Sequence, residues 1–379
     1  MKKFYLLIGF YLLIVGCQNS KNNSYKLAIY EVYIDDAINT SYSLSYIVDS
    51  IEYIYLQTPL GGITTFDISD NYFLLKDRDN RVMLFYSDGR FVTQIGREGR
   101  GHADYSGLVY NVLLDEKSNA VYILTQSKGQ IMKYDLKGNF VTKIIIGHDA
   151  DFLGLIEQGI IIVHIANWTG NKENSYVVIN DKGEVLKEFK NHYKYTLNKR
   201  VAYKKEGVKY IYNNNLYVKD KGDTLFMVSK DQLIPKFIFK SKCSIQESDR
   251  LTQEQYDEAI DFLSAFETDH ILYFCFQSCI KNNGNSPIKH GFFDKKTGKT
   301  FLFQHEKNAI YDHYIKNDID DENYFHWVQK KGYLMAPRFD FDEDKLSKVK
   351  PEIAKKIRYF RSRINDEDPA FMAIMHLKK

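Results

Sequence analysis

The feature that most constrains the fold of this chain is an internal repeat, whose period of about 45 to 50 residues is typical of propeller blades. The repeat is clearest in two stretches, Asn71 to Gly96 and Asn119 to Gly147. Each stretch contains an apolar strand, a polar turn, a second strand that ends near an aromatic residue, a glycine-bearing turn and a third strand. Because glycine supplies the positive φ that such hairpins require, we expect each copy to form antiparallel strands joined by hairpins.

The turns of the stronger and weaker copies recur at the spacing of a β-propeller. They fall at Gly89, Gly138, Gly183, Asp231 and Gly298. Each of the first three intervals has the length of one four-stranded blade. The fourth interval, from Asp231 to Gly298, is longer than the others by almost half a blade. We explain its extra length by an inserted amphipathic helix near residues 248–264, where the helical pattern extends from Leu251 to Leu263.

Five turns imply five blades, and the rest of the chain offers strands for a sixth. The candidate strands are Tyr324 to Val328, Gly332 to Phe339, Phe371 to Leu377 and the early segment Ile51 to Leu56. Propellers commonly close by pairing an N-terminal strand with the last blade, which removes an exposed edge. The sequence therefore predicts an all-β, six-bladed β-propeller over residues 41–379, with the helical insertion, a C-terminal helix from about Glu343 to Arg363 and a final strand.

The N-terminus has the pattern of an export signal. Lys2 and Lys3 precede an uninterrupted apolar run, Phe4 to Val15. This run is too short to span a bilayer as a helix, and it fits the hydrophobic region of a signal peptide. The run leads into Gly16-Cys17, which resembles the cleavage site of bacterial lipoproteins. We expect a signal peptide over residues 1–16, the alternative being an ordinary signal peptide with an incidental cysteine.

Cys17 is the predicted site of lipidation, and its acyl chains would hold the protein on a membrane. Residues 17–40 are predicted to be the lipidated cysteine and a flexible tether, because the stretch after Cys17 is polar. Gln18 follows the cysteine, which favours the outer membrane over retention in the inner membrane. We therefore expect a lipid-anchored protein of the cell envelope.

Charge and cysteine content exclude some classes of protein. The formal net charge is +3, and loss of Lys2 and Lys3 with the signal would leave +1, too close to neutral for a nucleic-acid-binding face. The three remaining cysteines are Cys243, Cys275 and Cys279. An odd count cannot form a complete disulfide framework. Free buried thiols are the favoured interpretation, and a bridge from Cys243 to one of the others is the alternative.

The repeat and the export signal resemble the six-bladed β-propeller lipoproteins of Gram-negative gut bacteria, a largely uncharacterised family with NHL-like repeats. The similarity is found in Ser45 to Leu56, in the first blade, in the loop Gly96 to Tyr105 and in Asp366 to Lys378. The family loop reads Gly-x-x-Gly-x-Gly-Pro-Gly-Glu-Tyr, and here His102, Ala103 and Asp104 replace its Pro, Gly and Glu. The resemblance implies a fold and export, and it implies no particular reaction.

The same loop provides the candidate ligand-binding residues. In a propeller, loops that join an outer strand to the next inner strand surround one mouth of the central channel. The candidates are Arg97, Arg100, His102, Asp104 and Tyr105. Arginines at such a mouth can bind a carboxylate or sulfate with two hydrogen bonds. The alternative is that the glycines form the turn and the charged residues simply contact water.

Two functions follow from this sequence. The first is a non-enzymatic binding or scaffold module on the membrane, for an unknown peptide, glycan or protein partner and not for nucleic acid. It is favoured because the chain has no P-loop, dinucleotide fingerprint, G-x-S-x-G or zinc motif, and no cofactor is predicted. The second is a metal-dependent hydrolase or lyase with a divalent ion such as calcium in the channel, for which Asp67, Asn111 and Asp115 are the candidate ligands.

Overall fold

The structure is a computed structural model of the 379-residue chain. It describes residues 28–41, 48–58, 60, 63–126, 129–196, 207–245, 248–277, 288–304, 328–330, 333–338, 351–362 and 371–378. Within these ranges the chain is mostly β-structure, and six sheets contain four or five strands. The predicted signal peptide and Cys17 lie outside the described residues.

Three strands at the N-terminus each complete a sheet that later residues form. They are β1 (Tyr30–Tyr33), β2 (Ile38–Ser41) and β3 (Val48–Tyr55). The next three sheets are antiparallel, with their four strands in sequence order, and each is built from one repeat. Sheet I contains β4 to β7 (Ile63–Ile68, Tyr72–Asp77, Val82–Tyr86, Phe91–Gln94). Sheet II contains β8 to β11 (Val109–Asp115, Ala120–Thr125, Gln130–Tyr134, Phe140–Ile145). Sheet III contains β12 to β15 (Ala150–Glu157, Ile160–Ile165, Asn174–Asn180, Val185–Lys190).

The remaining sheets combine later strands with the N-terminal ones. A short parallel pair joins β16 (Tyr193–Tyr195) to β21 (Ser248–Leu251). Sheet IV contains β17 to β20 (Val208–Tyr212, Asn215–Lys219, Thr224–Val228, Leu233–Lys240), with β1 parallel to β20. Sheet V contains β22 to β25 (Asp261–Glu267, Ile271–Gln277, Ile288–Asp294, Lys299–Gln304), with β2 parallel to β25. Sheet VI contains β26 to β28 (Val328–Lys330, Tyr333–Arg338, Phe371–Leu377), with β3 antiparallel to β28. Among the described residues, the α-helices are α1 (Gln253–Glu258) and α2 (Pro351–Ser362).

The predicted turns join the third and fourth strands of sheets I to V. Gly89 and Gly138 have φ of 89° and 85°, which confirms that these hairpins use the left-handed region. At Gly89 a Cβ atom would lie 1.9 Å from the Tyr55 carbonyl oxygen, so a side chain is also excluded by the contact with β3. The repeat therefore corresponds to one sheet, and the sheets are arranged as the blades of an all-β propeller.

Apolar clusters fill the spaces between neighbouring sheets. One cluster packs Leu84 of sheet I against Val112 of sheet II, and another packs Leu153 of sheet III against Leu124 of sheet II. A third joins Phe237 of sheet IV to residues of sheet V. Both faces of the inner strands are covered in this way, which explains their continuous apolar runs. In β9, for example, all six residues are buried.

The prediction of an inserted helix over Leu251 to Leu263 is wrong in its extent. Thr252 and Gln255 do form the predicted capping box, with reciprocal hydrogen bonds of 2.9 and 3.2 Å. However, α1 ends at Glu258, and Asp261 already begins β22. Phe262 packs in the core between sheets IV and V. Pairing with β23 thus outweighs the helical pattern at these positions.

The predicted boundary of the flexible tether is also wrong. The sequence predicts a tether as far as residue 40, but β1 and β2 lie within that range and pair with β20 and β25. Val32 is fully buried in the cluster between sheets IV and V. Strands β1 and β2 are therefore part of the folded propeller.

The cysteines divide between two states. Cys243 is disulfide-bonded, so the prediction of a free thiol is wrong for this residue. Cys275 is a free thiol with no exposed surface, as the favoured interpretation predicts. Burial raises the pKa of the Cys275 thiol to about 12. Cys279 lies outside the described residues.

Candidate functional site

A cavity of about 810 Å³ lies where the first strands of sheets I to V meet. We call it the hub cavity. Its wall consists of β4, β8, β12, β17 and β22 and of the hairpins that follow the first four of these strands. Apolar side chains such as Phe66, Leu113, Ile156 and Leu263 form much of the wall. A volume of this size is typical of ligand-binding pockets.

The polar lining of the hub cavity is acidic. Five carboxylates contribute to it, namely Asp67, Asp70, Asp115, Glu116 and Glu157, together with the ammonium groups of Lys117 and Lys209. The described lining residues therefore carry a formal charge of −3. Asp70, Glu116 and Lys117 lie in turns between first and second strands, and Asp115 and Glu157 end their first strands, so these five residues surround one mouth of the cavity.

Asp67 and Asn111 support the cavity wall by binding backbone amides. Asp67 Oδ2 accepts a hydrogen bond of 2.8 Å from Leu114 N on the neighbouring sheet. Asn111 Oδ1 accepts one of 3.1 Å from Leu153 N, again on the next sheet. The first strand of each sheet has no further strand on its inner side, so its amides need such partners. These two predicted metal ligands, of the three, are thus hydrogen-bonded to the wall.

Side chains at the mouth connect successive hairpins. Asp115 Oδ2 accepts a hydrogen bond of 2.8 Å from Gly159 N, and its Oδ1 accepts one of 3.2 Å from Ser118 N. Glu116 accepts hydrogen bonds from the backbone and side-chain amides of Asn71. The hairpins of sheets I, II and III are therefore held together at the mouth.

Lys209 is the cation deepest in the wall. Its Nζ donates to the Leu153 carbonyl oxygen and to Asn111 Oδ1, the latter at 3.4 Å. The same ammonium lies 5.8 Å from the centroid of the Phe152 ring. Lys209 thus links sheet IV to sheets II and III across the wall.

Ser69 is a buried polar residue of the cavity wall. It is 8% exposed, and its Oγ has no hydrogen-bond partner among the described residues. It directly follows β4 and precedes the exposed Asp70 at the mouth. A buried hydroxyl without a partner costs free energy unless a bound molecule satisfies it.

The predicted binding loop folds on itself. Arg97 Nε donates a hydrogen bond of 3.0 Å to Asp104 Oδ1, and Gly101 N donates one of 2.9 Å to Asp104 Oδ2. The hydrogen bond from Arg97, followed by that from Gly101, holds the pKa of the Asp104 carboxyl below its usual value. Asp104 therefore organises the loop from within.

Tyr105 and His102 also have contacts inside the protein. Tyr105 is fully buried and donates a hydrogen bond of 2.8 Å from its hydroxyl to the Asn80 carbonyl oxygen. The His102 ring lies 5.0 Å from that of Phe140, edge to face. Arg97 and Arg100 are exposed, so they are the loop residues whose charged groups are most accessible to a ligand.

The loop and the hub cavity lie at opposite ends of β8. The loop leads into Val109, where this strand begins, whereas the mouth residues follow Asp115, where it ends. The length of this extended strand separates the two ends by about 20 Å. None of the five predicted loop residues lines the cavity. The ligand-binding role of this loop stays a prediction.

The three candidate metal ligands lie on the first and second sheets, in the wall and mouth of the cavity. Across the part of the chain that the structure describes, no three His, Cys, Asp or Glu side chains are grouped as metal ligands. Asp151 and His164 form a buried pair, but this pair belongs to the interior of sheet III.

Among the described residues no helix is long and apolar enough to cross a membrane.

Sequence reasoning missed the acidic mouth, although a periodic signal was present. Asp70 and Glu116 follow the apolar first strand of a repeat and Glu157 ends the next first strand, so they are separated from one another by about one repeat length. A carboxylate at the same place in three consecutive repeats must point to one end of the propeller. The sequence contains no comparable pattern to indicate that Ser69 and Lys209 line the cavity.

Comparison with known proteins identifies the family. Residues 29–375 match the model of a domain of unknown function, DUF4934. The chain belongs to the DUF4934 family. A search of curated proteins gave no match to this sequence.

Two solved structures resemble this DUF4934 protein in fold. A candidate exported protein of Bacteroides fragilis has a TM-score of 0.64 at 16% identity, and the alignment covers 93% of this chain and 100% of that one. A DUF4221 family member of Bacteroides vulgatus has a TM-score of 0.50 at 10% identity, with 87% and 97% covered. At such low identity the similarity shows the fold alone.

Proposed function

We propose that this DUF4934 protein is a binding module of the cell envelope that takes its ligand in the hub cavity. The observation that carries the proposal is the cavity itself, which is large, partly apolar and open at a mouth fixed by hydrogen bonds between hairpins. A pre-formed pocket with a few polar groups is the usual form of a ligand site. The ligand is a peptide, a glycan or part of another envelope protein.

Closure of the ring by sheet VI, as a sixth blade, is part of this proposal. Two apolar clusters support it. Met372 and Ile374 of β28 pack with Phe73 and Phe85 of sheet I, and Val48 and Met375 pack with Phe266 of sheet V. Sheet VI thus has an apolar contact with the first and with the fifth sheet. The antiparallel pairing of β28 with β3 joins the last described strand to an early one, as ring closure requires.

Anchoring through a lipid on Cys17, in the outer membrane, completes the proposal. The sequence at Gly16-Cys17 supports the lipid anchor, and the similarity to an exported protein of Bacteroides fragilis agrees with export alone. Incorporation of labelled palmitate into the full chain, and its loss in Cys17→Ser, tests this part. Equal labelling of the two proteins would contradict it, and fractionation of inner and outer membranes would locate the anchored protein.

Binding at the hub cavity is tested by a thermal-shift screen of peptides and glycans. Thr65 lines the cavity from β4, and Thr65→Trp would occupy part of its volume. We expect a ligand that raises the Tm of the wild type but not that of Thr65→Trp. The control is the double variant Arg97→Gln/Arg100→Gln in the loop at the other end of β8. Loss of the shift in this control, with Thr65→Trp unaffected, would overturn the cavity and favour the loop.

A further inference from the structure

We infer that the hub cavity selects an amphipathic cation, a molecule that joins an ammonium or guanidinium group to an apolar body. This inference rests on the proposed function and adds the chemical class of the ligand. Its first basis is charge, because the lining holds five carboxylates and two ammonium groups. A cleft with low-dielectric walls and an excess of one charge concentrates ions of the opposite sign.

The positions of the charges strengthen this basis. The two lysines of the described lining occupy different positions. The Lys209 ammonium is hydrogen-bonded to Leu153 and Asn111 in the wall. Lys117, in contrast, is exposed at the mouth. Glu157 is also exposed at the mouth, and its carboxylate has no hydrogen bond or ion pair with another described residue. Its carboxylate can therefore bind a ligand cation without breaking an existing contact.

Ser69 provides a second, independent basis. Its hydroxyl lies in the wall next to Asp70, is more than nine-tenths buried and has no partner among the described residues. An ammonium group has three donors and no acceptor, so it needs several oxygen acceptors close together. The Ser69 hydroxyl and the carboxylates of the mouth offer such oxygens.

The apolar wall defines the rest of the ligand. Phe66, Leu113, Ile156 and Leu263 line the same cavity as the carboxylates. A small hydrated cation would leave these surfaces in contact with water, whereas an aliphatic group beside the cation would cover them. A lysine or arginine flanked by aliphatic residues in a peptide has this combination of properties.

Three peptides of equal shape test the inference with the intact protein. The probes are acetyl-Leu-Lys-Leu-amide, its Gln analogue and its Glu analogue, titrated by calorimetry at low and high salt. We expect the Lys peptide to bind most tightly and its affinity to fall as salt screens the mouth. Glu157→Gln should weaken the Lys peptide about threefold, and Lys117→Gln should strengthen it by a similar factor, as expected for exposed charges.

Matched controls separate this inference from the proposed function. Glu188 is exposed on the outer strand of sheet III, and Glu188→Gln should leave all three affinities unchanged. Equal binding of the Lys and Gln peptides, both abolished by Thr65→Trp, would overturn the charge selection while supporting a binding site in the cavity. Preference for the Glu peptide, or no binding of the Lys peptide at millimolar concentration, would also overturn it. The thermal-shift screen tests the cavity separately from these outcomes.

Discussion

Asp67 on β4 accepts a hydrogen bond of 2.8 Å from the backbone amide of Leu114 on β8, so a side chain of one sheet binds the inner edge of the next. The other oxygen of Asp67 accepts the amide of Ile68 at 2.9 Å. Asn111 repeats the relationship one sheet further, with Leu153. The residues that the sequence offers as metal ligands thus have a structural use, which is to satisfy amides at the centre of the propeller.

Replacement of Asp67 by alanine tests this use. Asp67→Ala leaves the amides of Leu114 and Ile68 without their carboxylate acceptor in a buried wall. We expect the free energy of unfolding to fall by about 1–3 kcal/mol, as is usual when a buried donor loses its partner. Urea denaturation of the two proteins measures the difference.

The exposed Glu188 serves as the control for this experiment, since Glu188→Ala removes a carboxylate from the surface of β15. We expect a change of less than about 0.5 kcal/mol there. Unchanged stability in Asp67→Ala, combined with loss of a bound divalent ion, would contradict the structural role. That result would favour the metal-dependent enzyme instead.

Local sequence predicts the hairpins of this fold well, and it predicts the distant pairings poorly. Gly89 and Gly138 mark turns that the local sequence already indicates, because both have the positive φ that favours glycine. Tyr30, by contrast, pairs with Phe237, which lies more than half the length of the chain away, and no local pattern specifies that partner. Asp261 to Leu263 have a helical pattern but form a strand because they pair with β23.

The same distinction applies to the candidate site. The loop from Gly96 to Tyr105 stands out in the sequence because its charged residues are close together. In the structure, however, Asp104 accepts a hydrogen bond from Arg97, and Tyr105 is buried. The acidic mouth collects residues from several repeats, so it becomes visible only when the repeats are aligned as blades around an axis.

Arg97→Gln tests whether the loop is held together by its own charges. Because the hydrogen bond from Arg97 lowers the pKa of the Asp104 carboxyl, we expect the variant to raise that pKa toward its ordinary value. In the wild type, the stabilisation from this carboxylate is complete above the unfolded pKa and is lost as pH falls through the folded one. Carbon NMR of the Asp side chains during acid titration gives both values. Arg100→Gln is the control, and an equal shift there would show that the interaction is not specific to Arg97.

Because His290 is buried, we expect the folded protein to lose stability in mild acid. Its Nδ1 lies 2.7 Å from the Tyr273 hydroxyl, and burial lowers the pKa of the imidazole to about 4, from 6.5. As pH falls below 6.5, the unfolded chain takes up this proton while the folded protein does not, so stability falls until about pH 4. We expect this residue to account for about 3 kcal/mol of the loss.

Denaturation curves at several pH values measure this contribution. His290→Gln should show a smaller decrease in the free energy of unfolding between pH 6.5 and pH 4 than the wild type. His148 is exposed, and His148→Gln should keep the wild-type slope. Parallel slopes for the wild type and His290→Gln would mean that the buried imidazole is protonated without penalty.

The two described cysteines should differ in their reactivity toward iodoacetamide. Cys275 is fully buried with a raised pKa, so it should react only after unfolding. Cys243 is disulfide-bonded and should react only after reduction. Peptide mass spectrometry of native, unfolded and reduced samples distinguishes these states. Alkylation of Cys243 in unfolded protein without a reductant would contradict the disulfide.

Val32 tests whether the N-terminal segment belongs to the fold. This side chain on β1 is fully buried among Phe237 and Phe239, and its strand lies parallel to β20. Val32→Ala removes two buried methyl groups, so we expect the free energy of unfolding to fall by about 1–3 kcal/mol. Ile29 precedes the same strand and is 55% exposed, so Ile29→Ala should have little effect. If both variants unfold like the wild type, the segment is a tether after all. If Val32→Ala alone is destabilised, β1 contributes to the core between sheets IV and V.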